Sequence, residues 1–153
     1  MRRIALLAAL VLTAASPAMA APIAGMHSLV GAWKCTYRAG AIRLDYAATW
    51  AYDLDGHTLR QIDSWTGGGA EELLASAAHG GWKAVVFDDH GDTTVMLGTG
   101  SDPKHIAFHS VYPDASIAET FDRISTTAYA LHATVRSGAT TTVSVDTCLR
   151  GVP

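Results

Sequence analysis

Asparagine does not occur anywhere in the sequence, which excludes N-glycosylation. Cysteine occurs twice, and nothing like a Cys-x-x-Cys pair is present to suggest a reactive or metal-binding thiol couple. Positive charge is scarce. Without Arg2 and Arg3, nine basic side chains stand against fourteen acidic ones, a net charge of about −5 with histidine neutral. That balance argues against a nucleic-acid partner, which needs a basic footprint, and against anionic membrane surfaces. Beyond residue 20 there is no long apolar run, so no membrane insertion is expected. No internal repeat or low-complexity linker is evident. No serine sits in a nucleophile elbow, and Gly67-Gly68-Gly69 lacks the lysine and helix of a phosphate-cradling loop.

What is present begins with a three-part leader. Arg2 and Arg3 precede an apolar run from Ile4 to Ala15, and Ala18-Met19-Ala20 is a small-residue cleavage site. Residues 1–20 therefore read as a secretory signal peptide, leaving 133 residues from Ala21 to Pro153. Arg2-Arg3 lacks the flanks of a twin-arginine signal, and no lipid-anchoring cysteine follows. A soluble exported protein, periplasmic or secreted, is expected. Its length suits one domain around one core: an N-terminal segment at 21–28 and a barrel domain at 29–153.

Almost all of that domain reads as strands. Ile42, Leu44, Tyr46, Ala48, Trp50, Tyr52 and Leu54 share one parity, opposite Arg43, Asp45, Thr49 and Asp53, as in a half-buried strand. Asp55-Gly56 supplies the positive φ angles of a two-residue hairpin turn. In that hairpin Tyr52 would face Leu59, Trp50 Gln61, Ala48 Asp63 and Tyr46 Trp65. The inward face thus carries aromatics with Gln61 and Asp63 among them. Val30 to Arg38 alternates similarly, and further strands are expected at 82–87, 93–99, 104–111, 116–124, 127–136 and 140–150. Gly67-Gly68-Gly69 breaks the pattern, and Ala70 to Ala78 fits either a strand or a short helix.

The first and last strands share one antiparallel register. An offset that sets Trp33 opposite Arg150 also sets Cys35 opposite Cys148, both pairs on one face of the sheet. A sheet whose first strand pairs with its last is a closed barrel, so the expected fold is an all-β, antiparallel, up-and-down barrel of about 8–10 strands. Two cysteines in an exported chain read as one disulfide, Cys35–Cys148, worth roughly 4–5 kcal/mol in the chain-entropy model. One feature conflicts. Val143, Val145, Thr147 and Leu149 form the apolar face of the last strand, whereas Cys148 and Arg150 share parity with Ser144 and Asp146. Either Asp146 points inward, or a bulge near Asp146-Thr147 switches parity; the bulge is the expectation.

Leu29-Val30-Gly31-Ala32-Trp33, entering the first strand, resembles the Gly-x-Trp signature of lipocalin-like barrels. Arg150 matches the lipocalin arginine that packs across that tryptophan. The whole chain after residue 20 is similar to bacterial secreted proteins of unknown function with a lipocalin-like domain, in which Gly-x-Trp-x-Cys opens the domain and Cys-x-Arg closes it. The other lipocalin turns are not evident, and no C-terminal helix is placed. The Trp33–Arg150 contact has its own physical sense, since a guanidinium over an indole gains roughly 0.5–2 kcal/mol and excludes water from the barrel end.

Candidate chemistry is sparse. His105 and His109 share a face but lie about 13 Å apart along a strand, too far to hold one ion together. His90 between Asp89 and Asp92 sits in a turn composition, and no metal is assigned. Asp53, Asp55 and Gly56 resemble part of a calcium loop without its bidentate acid. Haem, carried by some lipocalin-like proteins, needs an axial ligand, and no histidine lies in the last strand. Glu71-Glu72 reads as a solvated loop, leaving Asp63 as the one acid placed inside. The expected function is binding of a small, mostly apolar molecule inside the barrel. Tyr37, Tyr46, Trp50 and Trp65 would form the walls, with Gln61 and Asp63 orienting the ligand. No catalytic residue or cofactor is assigned, and a monomer is expected. The alternative is a periplasmic protein-interaction barrel resembling protease inhibitors, acting through residues 21–28. A haem-binding or isomerase-type barrel comes third.

Overall fold

Alternation of inward and outward side chains runs through nearly every segment of the computed structural model, which describes residues 23, 25–77 and 80–151. It produces ten antiparallel strands: β1 (Gly31–Ala39), β2 (Ile42–Asp53), β3 (Thr58–Trp65), β4 (Gly68–Ser76), β5 (Trp82–Asp88), β6 (Thr93–Thr99), β7 (His105–Tyr112), β8 (Ile117–Arg123), β9 (Ala128–Ser137) and β10 (Thr140–Arg150). Consecutive strands pair all the way round, and β10 returns to β1 to close the barrel. The leader at 1–20 lies outside the described residues.

The closing ladder has the expected offset, with Trp33 opposite Arg150 and Cys35 opposite Cys148. The two cysteines are disulfide-bonded, their Cα atoms 4.1 Å apart. The β2–β3 ladder sets Tyr52 opposite Leu59, Trp50 opposite Gln61 and Ala48 opposite Asp63, as the hairpin predicts. Its turn is longer than expected. The last pair is Asp53 with Thr58, and Leu54 joins Asp55 and Gly56 at positive φ. The Asp53 carboxylate accepts from the Leu54 N–H at 2.7 Å and steadies this turn.

Two expectations are corrected. The glycine run does not interrupt the sheet: Gly67 makes the turn at φ +92°, and Gly68 and Gly69 already pair with Trp65 and Ser64 in the β3–β4 ladder. Ala70 to Ser76 is therefore strand. There is also no bulge near Asp146-Thr147. The β10 ladders run unbroken on both sides, through Tyr37–Asp146 and Asp146–Leu131. Ser144 and Asp146 thus share the inner face with Cys148 and Arg150. Val143 and Leu149 look outward, 61% and 57% exposed. The apolar stripe of this strand is its outer face, which an antiparallel sheet tolerates because much of a folded surface is apolar anyway.

One end of the barrel is packed solid. Trp33, Trp82, Tyr129, Leu59 and Ile106 fill it, and Met26 and Leu29 from the segment before β1 plug it. The Trp33 indole N–H donates to the Leu29 carbonyl at 2.7 Å. The Arg150 guanidinium lies 4.5 Å from the Trp33 ring centroid, donates to the Val30 carbonyl at 3.0 Å and also donates to the Ser28 carbonyl. Arg123 reaches the same segment, donating to the Gly25 carbonyl and the Ser28 hydroxyl. The glycine of the Gly-x-Trp motif has a local cause. Gly31 sits at φ +125°, and a Cβ there would lie 2.8 Å from Arg150 Nη1.

Candidate functional site

The strands run from the packed end to an open end, where inward side chains no longer meet. There the barrel holds an interior cavity of about 390 Å³. Tyr37 from β1, Leu44 and Tyr46 from β2, Gln61, Asp63 and Trp65 from β3, and Ala70 and Glu72 from β4 line one side. Val86, Met96, Glu119, Leu131 and Asp146 line the rest. Each is at an inward position of its strand, so the lining follows from period-two alternation around a closed sheet.

Five of the six residues selected from the sequence as cavity walls or ligand contacts therefore meet here. Trp50 does not. It lies deeper, buried against Tyr129, and donates its indole N–H to the Tyr129 hydroxyl at 3.1 Å. Tyr129 in turn stacks edge-on to Trp33, with centroids 4.8 Å apart. This aromatic layer separates the cavity from the plugged end.

The acids are the unexpected part. Asp63 is joined inside by Glu72, Glu119 and Asp146. Glu72 is not in a solvated loop: it stands in β4 between inward Ala70 and Leu74. Its neighbour Glu71 faces outward and pairs with Arg60 at 2.8 Å. Glu119 stands between Ile117 and Phe121 in β8, and Asp146 between Ser144 and Cys148 in β10. The same alternation rule that places Asp63 would place all three.

Two hydrogen bonds brace this set. The Gln61 amide donates to both Asp63 oxygens, at 2.6 and 2.7 Å. The Tyr46 hydroxyl donates to Asp146 Oδ1 at 2.9 Å. Gln61 itself is only 2% exposed, and its carbonyl oxygen has no partner among the described residues. Burial drives the acidities. It lifts Asp63 to about 6, against the opposing Gln61 hydrogen bond. It lifts Glu72 to about 8, helped by the charges of Glu119 and Asp63, and Glu119 to about 7, helped by Asp146. Asp146 is raised by burial, with the Tyr46 hydrogen bond opposing, and Tyr46 is itself pushed far up. Near neutral pH the wall is a mixture of carboxylates and carboxylic acids.

Other features are weaker. A larger hollow of about 1070 Å³ runs over the outside of β1 and its neighbours, past Lys34, Arg38, Arg43 and Asp45. The Arg43–Asp45 pair there is solvent-exposed, and hydrated ion pairs hold little. Asp88, Asp89 and His90 bring possible metal-ligand atoms within 4.8 Å of one another, at the exposed end of β5 and the turn that follows it. His105 pairs with Asp122 on the outer face at 2.6 Å. Among the described residues no helix is long and apolar enough to cross a membrane.

No protein-family model matches the chain, and no curated protein matches it in sequence. Among solved structures it is similar to the S-type phycobiliprotein lyase CPES from Guillardia theta, with a TM-score of 0.56 over 84% of this chain and 91% of the lyase. The two sequences are 12% identical. The likeness is one of fold: this chain forms a lipocalin-like, ten-stranded closed barrel.

Proposed function

We propose that this protein is an exported carrier that binds a small molecule in the open half of its barrel. The observation that carries the reading is the interior cavity of about 390 Å³, walled by Tyr37, Leu44, Trp65, Val86 and Leu131 and set with a few polar groups. Ligand sites have this make-up, with apolar walls for affinity and sparse polar groups for orientation. Export is supported by the leader at residues 1–20 and by the disulfide, which persists in oxidising compartments. The buried state of Ile23 and Met26 speaks against a free N-terminal arm of the protease-inhibitor kind.

The test is titration with N-phenylnaphthylamine, a neutral probe that brightens on leaving water. Saturable binding by the native barrel is expected, and Ala70→Trp, which fills the cavity from β4, should abolish it. Equal binding by both proteins would locate the probe elsewhere and sink the reading. Export is tested separately, by fractionating cells and weighing the product: a periplasmic or secreted chain beginning at Ala21 is expected.

A further inference from the structure

The interior wall contains four carboxyl groups, and among the described residues no lysine, arginine or histidine lines it. Asp63, Glu72, Glu119 and Asp146 project from β3, β4, β8 and β10, so they surround the space instead of clustering on one side. Inward positions of a barrel are apolar by default, and like charges enclosed without a counter-charge are costly. The protein supplies little compensation. Gln61 serves Asp63 and Tyr46 serves Asp146, while Glu72 and Glu119 have no hydrogen-bond partner among the described residues.

Gln61 provides an independent sign. Its amide N–H groups are committed to Asp63, and its buried carbonyl oxygen has no partner among the described residues beside the cavity. A buried acceptor without a donor costs free energy until something donates to it. The wall therefore offers acceptors and negative charge together. The four carboxyls are spread too widely for one metal ion, since no three of them bring ligand atoms within 4.8 Å of one another. Tyr37, Leu44, Trp65 and Val86 complete the surface, and aromatic faces attract cations in addition to apolar bodies.

From this geometry we infer that the occupant is an organic cation, a protonated amine on an apolar or aromatic body. Its ammonium N–H groups meet the carboxylates, and its body lies against Trp65 and Tyr37. The inference rests on the cavity-binding reading above.

The experiment is calorimetry on the full mature protein with three probes of one shape: phenethylamine, phenethyl alcohol and hydrocinnamate. N-Phenylnaphthylamine runs alongside as a neutral reporter of the cavity. Phenethylamine should bind at least about tenfold more tightly than the alcohol, with the acid weakest, as one desolvated charge contact would give. The amine should also displace the neutral reporter. Glu72→Gln with Glu119→Gln keeps shape and hydrogen-bonding capacity while removing charge; it should bring the amine's affinity down to that of the alcohol. The series on the unaltered protein does not depend on that variant folding. Reporter binding with no preference for the amine would overturn the charge inference and leave the cavity reading standing. Stoichiometric calcium or magnesium binding that excludes phenethylamine would overturn the organic class. A barrel that admits neither amine nor reporter would overturn both.

Discussion

The Tyr46 hydroxyl and Asp146 meet at 2.9 Å across β1, linking the second strand to the last inside the barrel. The contact exists only because β10 keeps its register without a bulge. It is the main internal support of an acid on a strand whose apolar residues face outward.

Replacing Tyr46 by Phe removes the donor and leaves Asp146 facing the cavity alone. A loss of roughly 1–2 kcal/mol in urea denaturation is expected, towards the lower end because the cavity admits water. Asp146→Asn keeps a partner for the hydroxyl and should cost less.

Stability should depend on pH with a definite sign. Glu72 and Glu119 rise from 4.5 to about 8 and about 7, and Asp63 from 3.8 to about 6. Over that window the folded state binds more protons than the unfolded one, so stability falls as pH rises. The decline should begin near pH 3.8, continue to about pH 8 and then level off. The total loss is on the order of 2–5 kcal/mol, discounted for the groups' partial exposure to the cavity. Melting temperature against pH measures it, and Glu72→Gln should flatten the upper part of the curve. A curve that rises across this interval would contradict the placement of the acids.

Arg150 and Gly31 form one unit at the packed end. Gly31→Ala places a Cβ 2.8 Å from Arg150 Nη1 at φ +125° and should cost about 1–3 kcal/mol. Arg150→Lys keeps the charge but loses the planar fork over Trp33 and its several carbonyl partners, for a comparable loss. Thermal melts followed by tryptophan fluorescence would compare the two. Paired in a double variant, their costs should not add.

The disulfide joins residues 113 apart in sequence. Cys35→Ala with Cys148→Ala should lower stability by up to about 4–5 kcal/mol while leaving the barrel closed by its ladder. Denaturation of the oxidised protein beside the double variant tests this, and circular dichroism checks that the sheet persists.

The parts of the fold that local rules govern are legible in the sequence. Asp55-Gly56 marks its turn, the alternation in β2 is long enough to exclude a helix, and the shared offset of Trp33–Arg150 and Cys35–Cys148 foretells closure. The cavity is less legible for a definite reason. Hydrophobic pattern reports which face avoids water, and in β10 that signal is inverted: Val143 and Leu149 suit a pleated outer surface, while Asp146 and Ser144 face the barrel interior. Glu72 and Glu119 mislead in the same way, because a charged residue is taken for a solvated one. Tyr37, Tyr46 and Trp65 give no such conflict, being aromatic on the face that alternation assigns to the inside. Trp50 obeys the same alternation but sits two strand steps deeper than Tyr46, and depth along a barrel is not written in parity.

The bond between the first and last strands has a topological consequence. With Cys35 joined to Cys148, all ten strands lie on or within a single covalent ring, and every connection from the β1–β2 turn to the β9–β10 turn is inside it. A protease that cuts any one of those turns opens the ring without releasing a fragment. The cut chain is two pieces held by one sulfur bridge, with two new ends at the nick beside the original pair. In a compartment rich in proteases, such a barrel can be nicked and remain one molecule.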